Sequence, residues 1–157
     1  MSSDKIEVKG LRELEAALLA LQKEYGGRTA VQAMRPAVVA AMKPIKQEVL
    51  QDTPVDQGTL RDSTRVTIGA PTKKMLSSAH YNNTTIIAGR AGWFWSRPSL
   101  WSQALAVEFG TQQVAAQHVL ESVFMREHSG MLKRFKDTLG PAIEKKAKAL
   151  NKKRMKG

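Results

Sequence analysis

Cysteine is absent from the 157 residues, which excludes a disulfide framework and every thiolate metal site. Stability must then come from packing, in a chain expected to be made and folded in a cytoplasm. Long apolar runs are missing too. Although 42% of the residues are hydrophobic, no run reaches the ~18 residues that a membrane-spanning helix needs. Nor does the opening MSSDKIEVKG, polar and mixed in charge, carry the apolar stretch of a secretory signal. Aromatics are scarce at 6%, and 14 carboxylates face 25 Lys and Arg, for a formal net charge of +11.

That charge is unevenly placed. Residues 133–157 hold ten Lys/Arg against Asp137 and Glu144, so eight of the eleven net positive charges lie there. A cationic end of this kind suits an acidic partner surface or nucleic acid, because clustered cations release counterions from phosphate whatever the base sequence. A solvated helix face that keeps the chain soluble is an equal alternative.

The chain is expected to form one domain over residues 1–157. DKIEVKG alternates Ile6 and Val8 with polar residues and reads as a short strand. Leu14, Leu18 and Leu21 then recur at helical spacing, with Leu11 and Ala17 on the same side, until the YGG at residues 25–27. Thr29 suits the N-cap of a longer helix whose stripe runs Val31, Met34, Val38, Met42 (or Ala41), Ile45, Val49. Pro36 and Pro44 should kink it, or restart it near Pro36, and Pro54 should stop it.

From Leu60 the period changes to two: Leu60, Thr64, Val66 and Ile68 alternate with Arg61, Ser63, Arg65 and Thr67, the pattern of a strand covered on one face. TTIIAGR (84–90) and ALAVEFGT (104–111) are further strand candidates. Between them GWFWSRPSLWSQ reads as a loop holding all three tryptophans. It either folds onto the sheet, the favoured reading, or anchors a partner through Trp93, Trp95, Arg97 and Trp101. Leu132, Phe135, Leu139, Ile143, Ala147 and Leu150 mark a C-terminal helix, bent or interrupted at Gly130 and Gly140-Pro141, with a frayed NKKRMKG end. The pattern predicts an α+β fold: an antiparallel sheet packed against a long kinked helix and a C-terminal amphipathic helix.

No constellation for chemistry is found. His80, His118 and His128 lack the spacing of a zinc helix, Asp52, Asp56 and Asp62 lack that of a calcium loop, and no Gly-rich phosphate loop is present. Ser63 beside Asp62 has no base placed for it. The chain is expected to be a non-enzyme with no cofactor, no metal and no catalytic residues. TPVDQGTLRDS (53–63) reads as a turn: Pro54 ends a helix, Asp56 can bond the turn backbone and Gly58 can take a positive φ. Arg61 and Arg65 are candidates for an inter-subunit ion pair with a carboxylate such as Glu108, a solvated strand face being the alternative.

Three segments in order resemble a known family. Gly10-Leu11, Leu14 and Leu18 match its first helix; Thr53, Pro54, Asp56, Gly58, Leu60, Arg61 and Ser63 match its TP.dtG.Lr.S turn; and Val107, Glu108, Phe109, Gly110 and Thr111 match its vEfGT segment. The family is the tail-completion, or head-tail joining, proteins of the neck of long-tailed (siphovirus-type) bacteriophages, a group similar to the lambda minor tail protein Z. The likeness runs from about Val8 to Leu150, with His118 and Val119 standing where the family has Pro and Phe.

The resemblance implies a structural virion protein of the tail and neck that assembles as a ring, expected to be a hexamer, between the head connector (stopper) protein and the tail terminator or tail tube protein. It also adds Gly110 to the structural turns. The basic helix and tail at about 132–157, with Lys145, Lys146, Lys148, Lys152, Lys153 and Arg154, would meet an acidic neighbouring subunit or the DNA in the channel. The former is favoured, because a channel that releases DNA gains little from tight phosphate contacts. A nucleic-acid-binding protein is the alternative reading.

Overall fold

The computed structural model describes residues 11–55, 58–79, 87–94 and 98–157. The strand expected at DKIEVKG lies outside them. Helix α1 (Leu11–Tyr25) turns a leucine stripe inward, with Leu21 buried and Leu14 and Leu18 half-buried, whereas Ala17 is exposed. A break at Gly26 starts α2 (Gly27–Met42), three residues earlier than a Thr29 cap would place it. Thr29 instead sends its hydroxyl back to the carbonyl of Tyr25 at 3.1 Å.

The buried stripe of α2 is made of Ala30, Ala33, Ala37 and Ala41, with Met42 at its end, whereas Val31, Met34 and Val38 of the expected stripe are only half-buried. Small side chains at helical spacing let a second helix approach closely. Pro36 lies in α2 without ending it, at an exposed position, where solvent can serve a carbonyl left without its donor. The break falls at Pro44 instead, and the helix resumes as α3 (Ile45–Asp52). Pro54 holds Thr53 in an extended conformation and closes α3.

Residues expected to begin the strand coil first into one helical turn, α4 (Thr59–Asp62), from which Leu60 reaches the core. Strand β1 (Thr64–Gly69) follows, then the short α5 (Lys73–Leu76) and β2 (Ala88–Trp93). β1 and β2 pair antiparallel from Thr64↔Trp93 to Gly69↔Ala88, a two-stranded sheet. The first residues of the expected TTIIAGR strand lie outside the described residues.

The third expected strand is a helix. Residues 104–109 belong to α6 (Pro98–Phe109), whose buried Leu100, Ala104 and Glu108 recur every fourth residue. Proline at the first helical position and glycine just past the end bracket it, the usual asymmetry of helix termini. The aromatic segment is therefore not one loop, since Trp93 ends β2 and Trp101 rides on α6.

Helix α7 (Val119–Lys156) then runs unbroken through Gly130, Gly140 and Pro141 and on to Lys156. Neither the expected interruption nor the frayed end is present. At 1.5 Å per residue it is about 57 Å long. The fold is α+β, with a small antiparallel sheet, a kinked helix (α2–α3) and a long C-terminal helix.

The other helices are laid along α7 in register. Lys146 bonds Gln32 at 2.7 Å, Arg134 donates to the carbonyl of Ala41 at 3.0 Å, and Arg126 reaches Glu48 at 2.6 Å and Asp52 at 2.9 Å. Falling numbers on α2–α3 against rising numbers on α7 make the two antiparallel. Hydrogen bonds to Glu48 and Asp52 hold the Arg126 guanidinium above its ordinary pKa. Arg154 pairs with Glu24 at 3.1 Å, which ties the far end of α7 to α1.

Two clusters of buried side chains result. One joins the sheet to α3, α6 and the start of α7 through Val49, Leu60, Trp93, Ala104, Val119 and Val123. The other joins α1, α2 and the middle of α7 through Leu21, Ala33, Ala37, Leu139 and Ile143.

Because Ala37 is fully buried against α7, Ala37→Leu is expected to lower the unfolding free energy by about 1–3 kcal/mol through overpacking. Urea unfolding measures this; wild-type stability would mean that α2 and α7 do not approach closely at this residue.

Candidate interaction site

In the turn TPVDQGTLRDS the hydroxyls of Thr53 and Ser63 serve the fold. Thr53 is 2% exposed. Its hydroxyl donates to the carbonyl of Val49 and accepts the indole N–H of Trp93 at 3.0 Å, so the turn holds the end of β2. Ser63, also buried, donates its hydroxyl to the carbonyl of Leu60 at 2.6 Å, while its own carbonyl accepts the N–H of Phe94 at 2.9 Å. Gly58 has φ 74°, a left-handed conformation that side chains resist, and starts α4. Pro54 is half-buried, and Asp56 lies outside the described residues.

VEFGT is also a joint between elements. Glu108 is 7% exposed, and its carboxylate accepts the backbone N–H of Leu120 at 2.9 Å and of Glu121 at 3.0 Å. These are first-turn amides of α7, which have no partner within their own helix. His118, at the N-cap position with φ 49°, makes no side-chain cap of its own. A carboxylate from α6 therefore caps α7, aided by the positive end of the helix dipole.

Gly110 (φ 75°) turns the chain out of α6 so tightly that a Cβ there would lie 2.7 Å from the backbone nitrogen of Ala116. The loop that follows is strapped back, with Gln117 N–H on the carbonyl of Val107 at 2.8 Å.

The two segments meet. Pro54, Gly58 and Leu60 from the first and Val107 from the second line a shallow groove of about 280 Å³ with Val114. Val114 of its lining is 48% exposed, and Val55 (64%) and Leu105 (42%), next in sequence to other lining residues, and Phe109 (71%) are exposed as well.

Burial sorts the expected interface residues. Trp93 is 6% exposed and packs in the core, which corrects its candidacy as a partner anchor. Glu108 is corrected as well: engaged with α7 and buried, its carboxylate is closed to a neighbour's arginine. Arg61 sits half-buried on α4 and Arg65 exposed on β1, so they are not successive residues of one strand face. Trp101 is 51% exposed on α6. Trp95 and Arg97 lie outside the described residues.

The cations Lys145, Lys146, Lys148, Lys152, Lys153 and Arg154 all lie on α7. Lys146 and Arg154 are tied to Gln32 and Glu24, whereas the side chains of Lys145, Lys148, Lys152 and Lys153 are exposed. His118 pairs with Glu121 at 3.1 Å, His128 bonds the carbonyl of Met125 at 2.9 Å, and His80 lies outside the described residues. Among the described residues no group of three His, Asp or Glu is placed to hold a metal, and no helix is long and apolar enough to cross a membrane.

The outward row Leu105 and Phe109 escaped the sequence reading because a strand was assigned there. Pro98 and Gly110, bracketing an uninterrupted helix, were the available signal. No family model, curated protein or solved structure matches the chain.

Glu108→Ala removes the acceptor of two part-buried helix amides and is expected to cost about 1 kcal/mol. Glu108→Gln, which keeps one acceptor oxygen, should fall between it and wild type. Gly110→Ala, strained by φ and by contact, should cost at least about 1 kcal/mol. Chemical denaturation reads all three. An unaltered Glu108→Ala midpoint would deny the cap its role.

Proposed function

We propose that the chain is a structural subunit of the neck of a long-tailed bacteriophage, which forms a ring that completes the tail end and joins the tail to the DNA-filled head. One observation carries the reading. The turn TPVDQGTLRDS and the segment VEFGT, whose order and residues resemble those of the tail-completion family, come together at one groove, and the side chains of Thr53, Ser63 and Glu108 are bonded to backbone or to the buried Trp93. Residues so placed support architecture rather than reaction chemistry. The exposed apolar residues Val55, Leu105, Phe109 and Val114 suit a subunit that packs against neighbours: other copies in the ring, the head connector on one side and the tail terminator or tail tube protein on the other.

The phage that encodes the chain provides the test. Deleting its gene should leave DNA-filled heads and full-length tails that do not join, and purified protein added to that lysate should restore joined, infectious particles. Joined virions from the deletion strain would overturn the proposal.

A second reading, a basic protein that contacts DNA, is favoured by the exposed Lys145, Lys148, Lys152 and Lys153 on α7, none of which bonds a carboxylate among the described residues. It predicts duplex-DNA affinity that falls log-linearly with salt, with a slope of roughly −0.9 per phosphate contacted. Lys145→Glu with Lys152→Glu should flatten that slope by about two contacts' worth. Absence of a duplex shift at low salt removes this reading.

A further inference from the structure

Residues 98–125 contain no Lys or Arg, in a chain that has 25 of them. The same short stretch carries six of the ten large hydrophobic side chains that stand exposed among the described residues: Trp101, Leu105, Phe109, Val114, Phe124 and Met125. Trp101, Leu105 and Phe109 follow one another turn by turn on α6, and Phe109 is 71% exposed. On the inner side of that ridge Leu100, Ala104 and Glu108 are buried. Helix α6 is thus apolar outward as well as inward, the composition of a helix covered on both sides.

A second apolar feature lies elsewhere on the chain. A groove of about 380 Å³ runs between α2 and α7, lined by Val38, Met42, Phe124, Met131, Leu132 and Phe135, with no Lys or Arg in its walls. Phe124, 58% exposed, stacks on His128 at its rim. Ridge and groove share no residue.

We propose that the Leu105–Phe109 ridge of one copy seats in the α2–α7 groove of the next, so that copies of this chain join head to tail. Charge selects the occupant. Two chains at +11 repel each other through most pairs of surfaces, and ridge and groove are both free of cations. Nucleic acid or an acidic protein would be drawn to the cationic faces and would gain nothing from this one. Because the two surfaces differ, each added copy presents a new free ridge or groove, and the series ends when a ring closes. The inference deepens the ring reading and rests on it only for that closure.

Sedimentation velocity of the full, nuclease-treated chain tests it. Species larger than a dimer are expected, and association should strengthen as salt screens the like charges. Phe109→Glu and Phe124→Glu, both at exposed positions and with helical circular dichroism unchanged, should each weaken association by at least about ten-fold. Mixing the two variants should restore a one-to-one complex, since the intact ridge of one meets the intact groove of the other.

A monomer at every salt concentration, an oligomer dissolved by salt or nuclease, or undiminished assembly of Phe109→Glu would overturn the proposal. So would failure of the mixed variants to pair, the result that a two-fold contact of like surfaces gives. These measurements need no phage. Association as described together with joined virions from the deletion strain would leave the contact standing and the neck reading fallen.

Discussion

The carboxylate of Glu108 on the first turn of α7 is the contact on which the arrangement of the chain depends. Helix α7 is the element against which α1, α2 and α3 are laid, and it passes through both buried clusters. Its start must therefore be fixed, yet it begins after a residue in a left-handed conformation that offers no side-chain cap. Glu108 supplies two acceptors from α6 and draws the end of that helix against Leu120 and Glu121. Gly110 makes the arrangement possible, because the intervening chain must leave α6 and return within eight residues to the point where Val119 enters the core. A buried carboxylate is seldom tolerated without a cation; among the described residues none pairs with Glu108, and the amides and the helix dipole stabilise it instead.

Much of the fold was legible where one side of an element is buried and the other wet. The leucines of α1 and the stripe from Leu132 to Leu150 on α7 are of that kind. Helix α6 was not, since Leu100 and Ala104 face inward while Trp101 and Leu105 face outward. An element apolar on both sides shows no clean period to distinguish helix from strand. Glu108 was read as a surface charge because acidic residues are rarely buried; only the approach of α7 reveals its use. Two prolines looked alike in the sequence, but Pro36 faces solvent and is absorbed, whereas Pro44 lies beside the buried Met42 and Ile45 and divides the helix. At the candidate site the turn-forming roles of Pro54 and Gly58 were readable from residue type, while the burial of Trp93 was a question of packing that residue type left open.

Charge is segregated along the chain as strictly as hydrophobicity. Cations gather on the C-terminal half of α7, where some bond to α1 and α2 and others stand in solvent, while α6 and the loop after it carry none. A chain of this net charge needs a neutral area if it is to pack against anything that is not acidic. The apolar surface of α6 occupies that area, so attraction by charge and attraction by burial act at different places on the molecule.

The unbroken course of α7 through both clusters gives it the character of a keyed shaft. Val123 faces one cluster and Leu139 the other, with no loop between them to absorb an error in phase. Each residue added or removed there would rotate one cluster's side chains by about 100° against the other's and move them along the axis by 1.5 Å. The neighbouring α2 can relieve such a mismatch at its break beside Pro44, but α7 has no counterpart. An insertion or deletion between Val123 and Leu139 therefore disturbs both clusters at once, whereas a substitution there, or a change of length in a loop outside the helix, does not alter their phase.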